Sequence, residues 1–342
     1  MRFTFALLVC FLFAGTTLAS VYIITDLGTL GGTGSTAWGI NNSGQVVGES
    51  SLSNNTGSHA FLYSNGSMQD LGNLGDGSHA HGINASGQIV GYSQGFAFLY
   101  QNGSMQNLGT LGGYSRAFGI NSSGQIAGYS ASSTNNHHAF LYSNGVMQDL
   151  DPGGQFSEAY GLNDGGQVVG QSHFSNNTYA HAFLYSNGSM QDLGTLGGAN
   201  SEAQGINNNG DIVGIAMNSG NFNRAFLYNN GLMQDLGTLG GNYSLAYGIN
   251  NNGQIVGAAT IGDNTYRAFL YSNGLMQNLN NLIDPSSGWT LTFATAINDT
   301  GQITGYGVNE TGQQHAFLLN PIPAPATLLP VSSSLLVFRR RR

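Results

Sequence analysis

The stretch Ala246-Tyr247-Gly248-Ile249-Asn250-Asn251-Asn252-Gly253-Gln254-Ile255-Val256-Gly257 decides the reading of this chain, because it recurs. Further copies begin at Ala37, Ala80, Ala117, Ala159, Ala203 and, in a more degenerate form, Ala294. Each follows the pattern Ala-x-Gly-Ile-Asn-x-x-Gly-Gln-Ile-Val-Gly with small changes. The Asn of the pattern falls at Asn41, Asn84, Asn121, Asn163, Asn207, Asn250 and Asn298, so the units succeed one another every 37 to 48 residues. A fixed period of this size is the mark of a repeat architecture.

Each period contains four short apolar segments, here named A to D. In the first unit they are residues 37–41, 45–49, 59–63 and 68–71. All have strand length and β-branched or aromatic content, and none has a helical period. The turns between them carry specific chemistry. Asn41-Asn42-Ser43-Gly44 suits a type I turn closed by a left-handed Gly. Ser64-Asn65-Gly66-Ser67 centres on Asn-Gly, the strongest two-residue hairpin signal, which recurs at Asn102, Asn144, Asn187, Asn230 and Asn273. Two hairpins in series make a four-stranded antiparallel meander, and four strands per 40-odd residues is the period of a propeller blade. The Gly-His and Trp-Asp signature of one common propeller class is absent.

The phase of the repeats argues for a closed ring. The chain beyond residue 20 opens with a D segment, residues 21–28, and its seventh unit ends on a C segment, residues 315–319, with no D of its own. Pairing the two completes the last blade and removes the exposed sheet edges. The expected fold is therefore all-β, a seven-bladed β-propeller whose ring is closed by the N-terminal strand, spanning residues 20–320.

Composition narrows the partners. Of 342 residues only 7% are charged, and the eight basic residues are all Arg. Five of these lie at the termini, leaving Arg116, Arg224 and Arg267 against sixteen carboxylates between Asp26 and Glu310. That balance argues against nucleic acid as a partner. Residues 1–19 read as a secretory signal peptide: Arg2, an apolar run over 3–14, and Thr17-Leu18-Ala19 before the cleavage point. The single Cys, Cys10, lies inside that run, so the exported chain has no disulfide. Residues 321–342 form a tail in which Pro323 and Pro325 precede an apolar run and four terminal Arg. Contact with a membrane is expected only in transit, through the two termini.

The segments His59-Ala60-Phe61, His138-Ala139-Phe140, His181-Ala182-Phe183 and His315-Ala316-Phe317, together with Gly-Ile-Asn and Asp-Leu-Gly-Thr-Leu-Gly-Gly, resemble the HAF family of bacterial extracellular repeats. The resemblance covers residues 22–319. Phe96, Arg224 and Arg267 replace the His in three units. The tail resembles a PEP-CTERM sorting signal, with Pro323-Ala324-Pro325 where that family has Pro-Glu-Pro. These resemblances imply an extracellular or outer-surface protein of a Gram-negative bacterium, handled by export and sorting machinery. They imply no biochemical activity.

The chemical motifs are few. One His per blade places His59, His138, His181 and His315 too far apart in a ring to share a metal, and they read as structural residues at strand starts. His79 and His81 share a strand face but have no evident third ligand. Asp26, Asp70, Asp149, Asp192 and Asp235 mark one repeat position, with Asn107 and Asn278 replacing them, which suits a side chain accepting bonds from a turn. No Gly-x-Ser-x-Gly elbow, phosphate-binding loop or catalytic Cys is present, and no cofactor is expected.

The loops point to a binding face. In a meander the B–C and D–A connections emerge on one side, and here these are the connections that vary. The x of Ala-x-Gly-Ile-Asn follows the D–A loop near the channel mouth and reads Trp38, His81, Phe118, Tyr160, Gln204, Tyr247 and Thr295. Arg116, Glu158 and Glu202 lie beside it. The aromatics suit either stacking on sugar rings or packing between blades. The expected function is a non-catalytic binding or structural module for polysaccharide or a surface protein, and not an enzyme. The competing reading is a glycan-active enzyme, for which Glu158 and Glu202 in adjacent blades are the carboxylate pair to test.

Overall fold

A computed structural model describes residues 21–53, 55–174 and 179–323. The readings of residues 1–19 as a leader and of the apolar, Arg-ended tail as a sorting signal lie outside these. The chain forms seven four-stranded antiparallel sheets arranged as the blades of a propeller. Six are consecutive meanders; the first runs through strands Gly31–Ile40, Val46–Leu52, Ser58–Ser64 and Ser67–Asp70. The seventh combines Thr290–Ile297, Ile303–Val308 and Gln314–Pro321 with the N-terminal strand Tyr22–Asp26. That strand pairs antiparallel with Gln314–Pro321, from Tyr22 opposite Pro321 to Asp26 opposite Phe317. The ring is thus closed by joining the two ends of the domain.

The turns adopt the geometry their residues favour. Gly44 takes φ 74° and donates its N–H to the Asn41 carbonyl at 3.0 Å. Asn65 and Gly66 both have positive φ, 51° and 79°, as a type I′ turn demands.

The hydrophobic core is divided among the interfaces between blades. Val47, Ala60 and Leu71 of blade 1, for example, pack on Ala80, Ile83, Ile89 and Phe98 of blade 2. The Phe of each C strand, from Phe61 to Phe317, is fully buried, a burial of roughly 1.5–3 kcal/mol apiece. Leu27, Ala316 and Leu318 pack on Ala37, Val46 and Phe61 across the closing interface. Hydrogen bonds fix the register between blades: the N–H of Ala60 donates to Ser78 Oγ of the next blade at 2.8 Å, as Ala139 does to Ser157 and Ala182 to Ser201.

The A strands line a central channel. The glycine of Ala-x-Gly lets them converge on the axis: a Cβ on Gly39 would lie 2.6 Å from the His81 carbonyl, and one on Gly82 2.7 Å from that of Phe118. At the A–B turn end the repeated Asn forms a belt. Asn41 Nδ2 donates to the Asn84 carbonyl, and the same step passes through Asn121, Asn163, Asn207, Asn250 and Asn298 back to Asn41, at 2.9–3.1 Å. Asn41 Nδ2 also donates to Gln45 Oε1, while its Oδ1 accepts from the backbone N–H groups of Ser43 and Gln45. The sequence assigns this Asn to a turn; the structure adds that it bonds each blade to the next.

Candidate functional site

The opposite end of the channel is built by a defect in the A–B ladder. In every blade the pairing shifts at the residue after the repeat Ala, between Ala37 and Gly39 in blade 1 and at the equivalent place in the other six. The x residue is therefore bulged out of the ladder, a device that re-aims a side chain. Trp38, His81, Tyr247 and Thr295 line a cavity of about 260 Å³ in the channel, above the Gly and Ile that follow each of the first three. Phe118, Tyr160 and Gln204 do not line that cavity but continue the same ring of positions.

The aromatic members pack on one another. Ring centroids lie 5.5 Å apart for Trp38 and His81, 4.9 Å for His81 and Phe118, and 5.6 Å for Phe118 and Tyr160. Tyr247 approaches Phe293 at 6.3 Å. Much of the ring surface is thus engaged between blades. Two polar atoms are not: Trp38 Nε1 and His81 Nε2 are buried without a hydrogen-bond partner. Burial drives the His81 imidazole down to a pKa of about 4, against the attraction of Glu49 and with His79 and Arg116 adding to the fall.

The position just before the repeat Ala reads Thr36, His79, Arg116, Glu158, Glu202, Leu245 and Phe293, and each faces a B-strand residue across the ladder. The members from His79 to Glu202, with Glu49 and the aromatic B-strand residues they meet, form a charged and aromatic arc over blades 1 to 5. Glu49 bonds His79 Nδ1 of the next blade. Burial raises the Glu49 carboxyl, but the bond and charge of His79 outweigh it and the net shift is downward. His79 stacks on Tyr92 at 4.6 Å, and the Arg116 guanidinium lies 4.4 Å over the same Tyr92 ring. His137 stacks on Tyr129 at 4.6 Å and bonds Glu158 at 2.7 Å. Glu158 also accepts from the Tyr160 hydroxyl and from Gln171 Nε2. Burial, with the Glu158 charge, raises the Tyr160 hydroxyl strongly. Glu202 differs: burial raises its carboxyl, the Gln204 bond opposes, and the Glu158 charge raises it further.

The structure therefore brings Arg116, Glu158 and the x residues to one face, as the loops suggest. Glu49, Tyr92, Tyr129, His137 and Gln171 escape the sequence reading. Their signal was present as the B-strand and pre-C-strand positions at which the repeats disagree.

The repeated His residues are paired rather than isolated. His59 bonds Asp70 at 2.9 Å, His138 bonds Asp149 at 2.7 Å, His181 bonds Asp192 at 3.0 Å, and His315 bonds Asp26 of the closing strand at 2.8 Å. The same Asp accepts the turn N–H, as Asp70 does from Gly72 at 2.7 Å. Where Phe96 or Arg267 replaces the His, the Asp becomes Asn107 or Asn278.

No family model matches the chain, and no curated protein matches it in sequence. Solved propellers do match in structure. A protein of Agrobacterium tumefaciens described as a TolB is 11% identical with a TM-score of 0.50, over 75% of this chain and 94% of that one. A puromycin-hydrolysing peptidase of Mycobacterium tuberculosis is 12% identical with a TM-score of 0.55, over 88% of this chain but 56% of the peptidase. The propeller domain of the trilobed protease of Pyrococcus furiosus, described as having an open velcro topology, is 9% identical with a TM-score of 0.51, over 70% and 79%. At these identities the likeness shows the fold alone. It nevertheless overturns the expectation that the chain is not an enzyme: propellers of this architecture occur in enzymes, so absent motifs do not exclude catalysis here.

Proposed function

We propose that this is an exported, envelope-associated propeller whose loop-bearing face binds an extracellular polysaccharide. The observation that carries the reading is the concentration of repeat divergence on that face. Where the blades need one another they are nearly identical; around the loop-side mouth they present Trp38, His79, His81, Arg116, Phe118, Glu158 and Tyr160 in one contiguous set. Aromatic edges beside hydrogen-bonding and charged groups suit the mixed apolar and hydroxyl surface of a sugar chain. The leader-like residues 1–19, the resemblance to HAF repeats and PEP-CTERM tails, and the likeness to a TolB propeller support the placement.

The test is retention on immobilised polysaccharides from the bacterial envelope. Replacing Trp38 and Tyr160 together by Ala should weaken retention at least tenfold while leaving the β-sheet circular dichroism intact. Unchanged retention would remove this face from consideration.

One observation favours a catalytic version of this reading. Glu158 and Glu202 occupy equivalent sites in adjacent blades, and the Glu202 carboxyl is raised by burial, with the Glu158 charge adding to the rise. A raised carboxyl beside a second carboxylate is the arrangement that general acid–base hydrolysis of a glycosidic bond uses. Release of reducing ends from a bound glycan, lost in Glu202→Gln with binding retained, would establish it.

A further inference from the structure

At three interfaces between blades the residue preceding the His-Ala-Phe position of one blade meets the residue preceding the repeat Ala of the next, and the residues that meet differ from one interface to another. Gln314 Nε2 donates to Thr36 Oγ1 at 3.3 Å, Tyr266 packs on Phe293 at 5.4 Å, and His137 bonds Glu158 at 2.7 Å. Between blades 4 and 5 the corresponding residues are Ala180 and Glu202. Their register is the same: Ala182 N–H donates to Ser201 Oγ as Ala139 N–H does to Ser157 Oγ, and Ser201 N–H donates to the Ala180 carbonyl at 3.1 Å.

Compared with the interface one blade earlier, two aromatic groups are absent here. Where blade 3 puts Tyr129 and His137 against Glu158, blade 4 puts Gln171 and Ala180 against Glu202. The space they would fill is a cavity of about 160 Å³, walled by Gln171, Ala180, Asn200, Glu202, Met217 and Asn223. Its wall carries a carboxyl and several amides but no cationic side chain. Glu49 and Glu158, the other two carboxylates of the arc, each bond a His, and Glu202 has no such partner opposite it: its cross-strand neighbour is Ile215. Burial without a cation raises its carboxyl.

We propose that the cavity between Ala180 and Glu202 is a binding site for an organic cation, an ammonium or imidazolium group that takes the place that His137 fills beside Glu158 one interface earlier. The cation pairs with Glu202, the amide oxygens of Gln171, Asn200 and Asn223 supply further acceptors, and Met217 with Ile215 covers its apolar part. A charge-assisted bond in a desolvated cleft supplies the specificity. In the organism such a group comes from a deacetylated amino sugar or from a Lys or His side chain of a protein. The site goes beyond the polysaccharide reading and stands or falls separately from it, because the probes below are small cations.

The experiment is a titration of the folded protein with imidazole and with methylammonium at pH 7, followed by NMR and thermal shift, with acetamide as the neutral control. Saturable binding in the millimolar range is expected for both cations and not for acetamide, weakened at least tenfold in Glu202→Gln. Ala180→His should fill the cavity with its own imidazole and abolish imidazole binding; Ala180→Leu fills it without a base and serves if the His variant misfolds. Equal binding by wild type and Glu202→Gln, or equal binding of acetamide, overturns the proposal. Glucosamine, N-acetylglucosamine and Nα-acetyl-lysine amide then separate the sources. Binding of glucosamine alone assigns an amino sugar, binding of the lysine derivative alone assigns a protein partner, and binding of the acetylated sugar as strongly as glucosamine counts against a cation site.

Discussion

At the asparagine end of the channel every blade contributes the same side chain, and its side-chain amide is bonded both within its blade and to the next. At the loop end no two neighbouring blades contribute the same x residue, and Trp38 Nε1 and His81 Nε2 are buried without partners. Both ends derive from one twelve-residue pattern, five positions or fewer apart. The contrast separates what a repeat must keep from what it is free to change. A side chain that bonds the backbone of the next blade while it also holds its own turn cannot vary without loosening both. A bulged residue at a mouth has no copy to match.

The comparison can be broken at several points. The largest effect is expected from removing residues 21–28. This deletes the outer strand of blade 7, the Leu27 contact and the Asp26 partner of His315. The melting temperature should fall sharply, and the freed edge of Gln314–Pro321 should promote association, read by light scattering. A truncated chain that stays monomeric with unchanged melting would contradict closure by the ends.

At the asparagine end, Asn163→Ala removes the bonds to Gln167 and to the Asn207 carbonyl and leaves the part-buried Gln167 N–H unpaired. A loss of about 3–5 kcal/mol is expected in denaturant unfolding, with saccharide retention by the folded fraction unchanged. Loss of retention without loss of stability would reverse the roles assigned to the two ends.

A third test uses pH at the loop end. His81 is held near a pKa of about 4, below its unfolded value of 6.5. Its neutral form therefore contributes stability that is present above pH 6.5 and lost as pH falls towards 4. Relative to wild type, His81→Phe should become more stable across that window, by at most about 3 kcal/mol. A difference between the two proteins that does not change with pH would place the imidazole in water.

The smallest effect concerns Glu202, whose carboxyl is raised by burial. Its charge costs stability at neutral pH, and the cost disappears as pH falls below its unfolded value. Glu202→Gln should accordingly stabilise the protein at pH 7 and leave it unchanged near pH 4. The opposite sign at pH 7 would mean that Glu202 already has a cationic partner.

The fold was legible because its determinants are local and repeated. The Asn-Gly turns, the Ala-x-Gly-Ile-Asn pattern and the displaced D segment at residues 21–28 give blade number, strand order and closure without any knowledge of contacts. The site was less legible because its contacts run between blades. Asn41 reads as a turn former from its own neighbours; its bond to Asn84 appears only when two units are placed side by side. Trp38 and Phe118 read equally as platforms for a ligand or as packing between blades, and only the structure shows them against His81 and Tyr160 of the neighbouring blades. His59 and Asp70 were each assigned a separate structural role, although the joint change to Phe96 and Asn107 already marks them as a pair. The Ala180 cavity is the furthest from the sequence, since an alanine becomes a vacancy only against the histidine that occupies the same place one blade earlier.

The seam of the ring also sets an order of events. Strand Tyr22–Asp26 is among the first parts of the domain to be made, yet its partner, Gln314–Pro321, is the last. Six blades have all their strands in sequence as soon as they emerge; the seventh must wait for the whole chain. The opening strand therefore spends synthesis, and any threading through a membrane, without its mate. The ring becomes a single closed body only once Gln314–Pro321 is available to Tyr22–Asp26, so closure is the last step the fold permits.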